Sequence, residues 1–204
     1  REAGLHARLL NKYLNQLEYP HIPYPTDLNT PNSEMQKASI KEAGCGLCSL
    51  CMVVDQLTMK TLPLRRCIEL SMKAQANLEV GTNMKILGPV VAKKYDLAYD
   101  TTDDIQKAVR HLQQGGCIIA NVGGDQKEEG YIGLFSHGGH YITLISADDQ
   151  EICVLDPSWR IDKYEEEGRQ GKVRMDGKFV YCSYETLDKD ASSRSPRYYL
   201  FSRK

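Results

Sequence analysis

Ala43-Gly44-Cys45-Gly46-Leu47-Cys48-Ser49-Leu50-Cys51-Met52-Val53-Val54 sets a glycine-flanked cysteine at the opening of an apolar run of helical length. A thiol at a helix N-terminus meets free peptide N–H groups and the positive end of the helix dipole, which favour thiolate and lower its pKa. Gly44 and Gly46 leave room on both sides of the sulfur for a substrate backbone to approach. The same stretch also reads as a buried cysteine in a glycine turn. The rest of the chain decides between the two.

Working outward, Leu5, Leu9, Leu10, Tyr13, Leu14 and Leu17 recur at three- and four-residue spacing and predict an amphipathic helix over residues 2–18. Prolines 20, 23, 25 and 31 exclude helix from Tyr19 to Asn32 and predict an extended crossing segment. On the other side, the Cys45 helix is expected to run to Leu57. Pro63 suits an early position of a second helix, with Leu64, Cys67, Ile68 and Met72 facing inward. Met84 to Tyr95 predicts a third, containing Pro89. Thr102 is expected to cap a fourth, with Asp103 and Asp104 in its first turn, Ile105, Val109 and Leu112 as its buried stripe, and Gly115-Gly116 as its end.

Beyond Gly116 the pattern changes to strands. Cys117–Val122, Tyr141–Ser146 and Glu151–Leu155 are β-type runs, the last two joined by an Asp148-Asp149 turn. Phe179-Val180-Tyr181 and Tyr198-Tyr199-Leu200-Phe201 read as closing strands. The glycine- and charge-rich loop 123–139 is expected to form one wall of a cleft, and residues 160–178 an exposed charged excursion. Helices first and strands afterwards predict one α+β domain over 1–204, with 1–116 mainly helical and 117–204 mainly β.

The hairpin carries a second chemical feature. Gly138-Gly139-His140-Tyr141 starts one strand with a histidine, and Val154-Leu155-Asp156-Pro157 ends its partner with an acid. If the reversal is centred on Asp148, His140 stands opposite Asp156; a turn made of 148–149 shifts the pairing by one. Directly opposite residues lie roughly 5 Å apart, and Pro157 ends the ladder just past the aspartate. An acid beside a histidine fixes its tautomer and stabilises its imidazolium, as a general base requires.

Composition narrows the remaining readings. A chain of 204 residues with 41% hydrophobic and 26% charged residues is ordinary globular protein. A net charge of −1 removes any global electrostatic argument for nucleic acid, and no apolar run is long enough for a membrane span. Seven cysteines (45, 48, 51, 67, 117, 153 and 182) are odd in number and mostly in apolar contexts, which favours reduced thiols and a cytoplasmic setting. A signal peptide ahead of Arg1 would instead make the protein secreted. His6 and His111 fall in expected helices as solvated residues, and His21 in the proline-rich segment. His137 stands close enough to His140 to suggest a metal pair, but no carboxylate ligands accompany it. Cys45, Cys48 and Cys51 form a C-x₂-C-x₂-C run, yet the fourth cysteine that an iron–sulfur site needs at short spacing is absent. No metal or other cofactor is expected.

The motifs resemble those of papain-like cysteine peptidases, in the branch related to bacteriocin-leader-processing (double-glycine) peptidases. Gly44-Cys45-Gly46-Leu47-Cys48-Ser49-Leu50-Cys51-Met52 resembles that family's Gly-Cys-Gly-Pro-Thr-Ser-Leu-Ala-Met signature. Gly138-Gly139-His140-Tyr141 and Leu155-Asp156-Pro157 resemble its Gly-Gly-His-aromatic and Asp-Pro motifs. They occur in the family's order and spacing, 95 residues from Cys45 to His140 and 16 from His140 to Asp156, within residues 20–160. The resemblance implies a papain-like fold, a helical lobe against an antiparallel sheet lobe. It implies Cys45 as nucleophile, His140 as general base and acid, Asp156 as the orienting residue, and a peptide or protein as substrate.

Two positions depart from the signature. Leu47 replaces a proline at a packing position. The glutamine that usually completes the oxyanion hole six residues before the cysteine is Ser39 here. Gln36 is the nearest glutamine, with Asn29 and Asn32 further upstream, and Gln36 is the expected donor. Hydrolysis of a peptide or amide bond is the reading these residues favour. Acyl transfer of transglutaminase type and a binding domain without turnover use the same frame.

Overall fold

The computed structural model of the chain describes residues 13–26 and 39–204. Most of the expected helix over 2–18 lies outside them, and its last part, Gln16–Glu18, is a single 3₁₀ turn capped by Asn15. Of the proline-rich segment expected to be extended over Tyr19–Asn32, residues 20–22 turn, Pro23 bridges to Ser39, and the Ile40 N–H donates to Ile22 O, while residues 27–32 lie outside the described residues.

Four helices come first: α1 (Ile40–Ala43), α2 (Cys45–Leu57), α3 (Leu64–Lys73) and α4 (Met84–Lys94). Every residue of α2 after Cys45 is buried, Ser49, Asp55 and Gln56 included, so this mainly apolar helix is covered all round and sits in the core. Pro89 stands inside α4 without ending it. There follow β1 (Leu97–Thr102), α5 (Ile105–Gln113), β2 (Cys117–Val122), β3 (His140–Ala147), β4 (Glu151–Leu155), β5 (Arg174–Asp176), β6 (Phe179–Ser183), α6 (Tyr184–Asp190) and β7 (Tyr198–Arg203). The seven strands form one antiparallel sheet in the order β1-β7-β2-β3-β4-β6-β5.

Strand alternation divides the core in two. Cys117, Ile119, Cys153, Leu155 and Phe201 face α2 and its companions, meeting Leu47, Leu50, Val54 and Leu57. Ile118, Ala120, Ile142, Val154 and Leu200 face the other way, onto Val109 and Leu112 of α5 and Leu187 of α6. Each fully buried aliphatic side chain contributes on the order of 1.5–3 kcal/mol. Sandwiching between helical layers explains why β2 reads as a nearly unbroken apolar run.

Several sequence expectations need correction. Thr102 does not cap α5; it ends β1, its Oγ1 accepting from Asp104 N–H, and Asp104 is the cap, accepting from Gln106 N–H at 2.9 Å. Β1 itself lies between two expected helices, in the part of the chain expected to be mainly helical, where no strand is expected. It is an edge strand whose one fully buried residue is Leu97, so it carries little apolar signal. Tyr198–Arg203 does not close the sheet but runs between β1 and β2. His111 is not simply solvated, since its Nε2 lies 2.8 Å from Phe201 O. Residues 160–178 are not all an exposed excursion: Lys163, Tyr164 and Arg169 are buried, although β5 is exposed. No helix among the described residues is long and apolar enough to cross a membrane.

Candidate active site

Cys45 is the first residue of α2, so its peptide N–H has no partner within that helix. Gly44 is needed just before it, because a side chain there would stand 2.5 Å from Ile40 O and 2.6 Å from Ile40 Cγ2. The close turn from α1 into α2 therefore exists only with glycine. Cys45 is partly exposed, whereas the other six cysteines are buried, and none forms a disulfide.

The helix delivers the thiol to the start of β3. Gly46 packs against Tyr141, Thr82 and Met84, where a Cβ would approach all three at 3.2 Å. Cys45 and His140 line the same cleft, close enough that each bears on the charge of the other, and the N–H groups of Tyr141 and Gly46 favour the thiolate. His140 Nε2 lies 2.9 Å from Asp156 Oδ1. With Nε2 committed to Asp156, Nδ1 is the nitrogen left for the thiol.

The expected cross-strand pairing of His140 with Asp156 does not form, and a turn brings the two side chains together instead. Thr143 pairs with Leu155 and Leu144 with Val154, and the register shifts between Leu144 and Ser146. Extended to the strand end, that register sets His140 opposite Ser158 rather than Asp156. Pairing stops at Leu155, and the chain turns so that Asp156 O accepts from Trp159 N–H and Asp156 Oδ1 from Ser158 N–H. The turn aims the carboxylate back at the imidazole. Ser158 Oγ, which sequence reading missed, lies 3.0 Å from His140 Nε2.

Three further groups hold Asp156. Lys163 Nζ donates to Oδ2 at 2.6 Å and to Ser158 Oγ at 2.7 Å; Tyr164 OH donates to Oδ2 at 2.6 Å; and Tyr13 OH donates to the Asp156 carbonyl. Their sequence signal is faint. Lys163 and Tyr164 sit in a charged run, and Tyr13 is 143 positions away.

Burial dominates the electrostatics but is overcome where the charges meet. It pushes the Cys45 thiol up, yet the charge and hydrogen bond of His140, with the two N–H groups, bring it below its ordinary value. Burial likewise opposes the imidazolium, but the Cys45 charge and the Asp156 hydrogen bond raise His140 to about 9. Asp156 is held far below the carboxylate range against its burial, by Lys163 and His140. Burial lowers Lys163, partly offset by Asp156. By contrast, Cys48 is raised well above the ordinary thiol value by burial and neighbouring thiols. Cys51 is raised as well, by a hydrogen bond to Cys67 and by burial.

Cys45 and His140 open into a cleft of about 550 Å³, walled by Glu79–Asn83 on one side and by Asn121, Gly139 and Ser193–Ser195 on the other. The loop 123–139 contributes Gly139 to this wall. Its remainder packs behind the site, held by Arg169 Nε donating to Gly133 O at 2.7 Å and by His137 Nε2 at 2.6 Å from Glu166. Segment 193–195 takes the place expected of that loop. His137 thus turns away from His140, towards Asp125 and Glu166. Among the described residues no group of three His, Cys, Asp or Glu side chains could hold a metal ion. Gln36, Asn29 and Asn32 lie outside the described residues. Trp159 is half-buried at the edge of the second core.

No protein-family model matches the sequence, and no curated protein matches it. Among solved structures, the crystal structure of a "putative C39-like peptidase" from Bacillus anthracis is similar with a TM-score of 0.53. The likeness covers 94% of this chain and 98% of that one at 11% identity. At that identity the likeness shows the α+β fold alone as what the two chains share.

Proposed function

We propose that the chain is a thiol-dependent hydrolase that cleaves a peptide or amide bond through Cys45, His140 and Asp156. One observation carries the reading: a partly exposed thiol at a helix start shares a cleft with an imidazole whose Nε2 rests 2.9 Å from a buried carboxylate. The shared fold with a protein described as a C39-like peptidase supports the same reaction class.

In this reading the Cys45 thiolate attacks the substrate carbonyl and the Cys45 N–H donates to the developing oxyanion. His140 gives its proton to the leaving amine, and a thioester to Cys45 remains. His140, now neutral, takes a proton from water as the water attacks the thioester. The tetrahedral intermediate collapses, and the released thiolate and imidazolium restore the pair. Asp156 holds the imidazole in the productive tautomer throughout.

The test is the pH dependence of alkylation at each cysteine, read by peptide mass spectrometry in the wild type and in His140→Ala. Six buried cysteines serve as internal controls. Selective reaction of Cys45 below pH 7, lost without His140, is the expected result. Titration of Cys45 near the ordinary 8.5 would remove the activated nucleophile, and the binding-domain reading would stand in its place.

A further inference from the structure

The cleft wall formed by 193–195 holds a cation that the triad does not use. Arg194 follows α6 in a turn, its N–H donating to Ala191 O at 3.0 Å. Its guanidinium lies over two glycines. A Cβ on Gly139 would stand 2.4 Å from Arg194 Nη2 and 3.3 Å from Cζ, and a Cβ on Gly123 would stand 3.6 Å from Nε. Any side chain at 139 would displace the guanidinium, and Gly139 is the residue immediately before His140.

Arg194 has no partner there. Its Nε is buried without a hydrogen-bond acceptor, and no carboxylate among the described residues pairs with it. Arg169 and Arg197 are by contrast paired, with Glu166 at 3.1 Å and Asp188 at 3.0 Å. Nor does either acid lining the cleft, Glu42 or Glu79, form an ion pair with it, and Glu79 accepts from Asn83 Nδ2 at 2.8 Å. A guanidinium presents a rigid fork of donors that matches a carboxylate bidentately. One that is bedded beside the reacting centre and left unpaired is completed by a carboxylate brought in from outside.

We propose that Arg194 is a specificity-determining residue that binds a carboxylate of the substrate within one or two residues of the scissile bond. The distance follows from the chain: consecutive Cα atoms are about 3.8 Å apart, and the guanidinium rests on the neighbour of His140. The shared chemistry is a carboxylate, either an internal Asp or Glu side chain or the C-terminus of a short peptide. The assignment rests on the hydrolase reading for its peptide substrate, and the test separates the two.

Wild-type, Arg194→Gln and Arg194→Lys proteins are incubated with a proteome-derived peptide library, as free acids in one arm and C-terminal amides in the other. Cleavage is read by mass spectrometry, then quantified on matched Glu and Gln peptides. The expected wild-type preference for Glu over Gln is roughly 10- to 100-fold, the range for a hydrogen bond to a charged group. The ratio falls to about one in Arg194→Gln and is largely recovered in Arg194→Lys. A Glu-over-Gln preference in the amide arm that needs Arg194 assigns an internal acidic residue, and a free-acid-over-amide preference that needs Arg194 assigns the terminal carboxylate. Glu/Gln and free-acid/amide ratios that are both equal in wild type and Arg194→Gln overturn the proposal while leaving hydrolysis in place. If no peptide is cleaved, fluorescence anisotropy of labelled Glu-rich and Gln-rich peptide pools on Cys45→Ala decides. Glu preference that needs Arg194 keeps the site and removes the hydrolase; equal binding overturns the site.

Discussion

Lys163 Nζ lies 2.6 Å from Asp156 Oδ2, on the carboxylate oxygen opposite the one that holds His140 Nε2 at 2.9 Å. One carboxylate thus serves two cations in a place where all three side chains are buried. Lys163 keeps Asp156 ionised and orders it through Ser158 Oγ, but it also competes with His140 for the same negative charge. Charge-assisted bonds of this length are strong and geometrically exacting. The lysine therefore sets both the position and the electrostatic hold of the acid.

Replacing Lys163 by Met separates these effects. Without the ammonium, Asp156 stabilises the His140 imidazolium undivided, so the histidine is expected to rise above its present value of about 9. The alkaline limb of Cys45 alkylation then moves to higher pH. Stability falls by roughly 3 kcal/mol, as when one member of a buried pair is removed. For a chain of this size that lowers Tm by roughly 6–12 °C. An unmoved alkaline limb would show that Lys163 only props the turn.

Asp156→Asn acts in the opposite sense. The imidazolium loses its counter-charge and His140 is expected to fall from about 9 towards the ordinary 6.5, carrying the alkaline limb of alkylation down with it. Lys163 is left buried without a carboxylate, costing roughly 3–5 kcal/mol. The folded carboxylate titrates below its unfolded value, so its stabilisation is complete above about pH 4 and is lost as pH falls towards the folded value. Urea unfolding should therefore show a gap between wild type and variant that is full at pH 7 and narrows below pH 4. A gap constant with pH would contradict the linkage.

The parts of the site legible in the sequence are those made locally. A glycine-flanked cysteine opening an apolar run, a histidine at a strand start and an Asp-Pro strand end each declare their element within a few residues. What escaped is tertiary. The exact register depends on an irregularity between Leu144 and Ser146, which no turn rule supplies. Lys163 and Arg169 looked solvated because charge normally is. Their burial depends on Asp156, Glu166 and Gly133 O, partners that only the folded chain provides. Β1 hid because an edge strand with one fully buried residue has no apolar stripe. Arg194 hid because the space it fills is recorded only as glycine at 123 and 139.

Gly44→Ala tests the helix start. Its Cβ would meet the Ile40 carbonyl at 2.5 Å, and a backbone oxygen cannot rotate away as a side chain could. Relief requires α1 and α2 to separate, at a cost of roughly 1–3 kcal/mol. The Gly46 N–H that favours the Cys45 thiolate moves with them. The alkylation pKa of Cys45 is expected to rise towards 8.5 together with the stability loss. Loss of stability with an unchanged thiol pKa would detach the turn from the activation of the cysteine.

Hydrolysis by the wild type should be bell-shaped in pH, and the sign of each limb follows from the pair. The acid limb is protonation of Cys45, which lies below its ordinary value, so activity is already present under neutral conditions where a free thiol near 8.5 would be mostly protonated. The alkaline limb is loss of the His140 proton, which sits at about 9, so activity falls above that value because the leaving amine no longer finds a donor. Between the limbs the pair exists as thiolate and imidazolium. Each stabilises the other, so His140→Ala should do more than delete the alkaline limb. It should also return the Cys45 thiol to higher pH, through loss of both the charge and the hydrogen bond. Parallel profiles of kcat/KM and of Cys45 alkylation rate check both expectations. A flat alkylation profile in the wild type, or an acid limb indifferent to His140, would mean that the two side chains meet without sharing a proton.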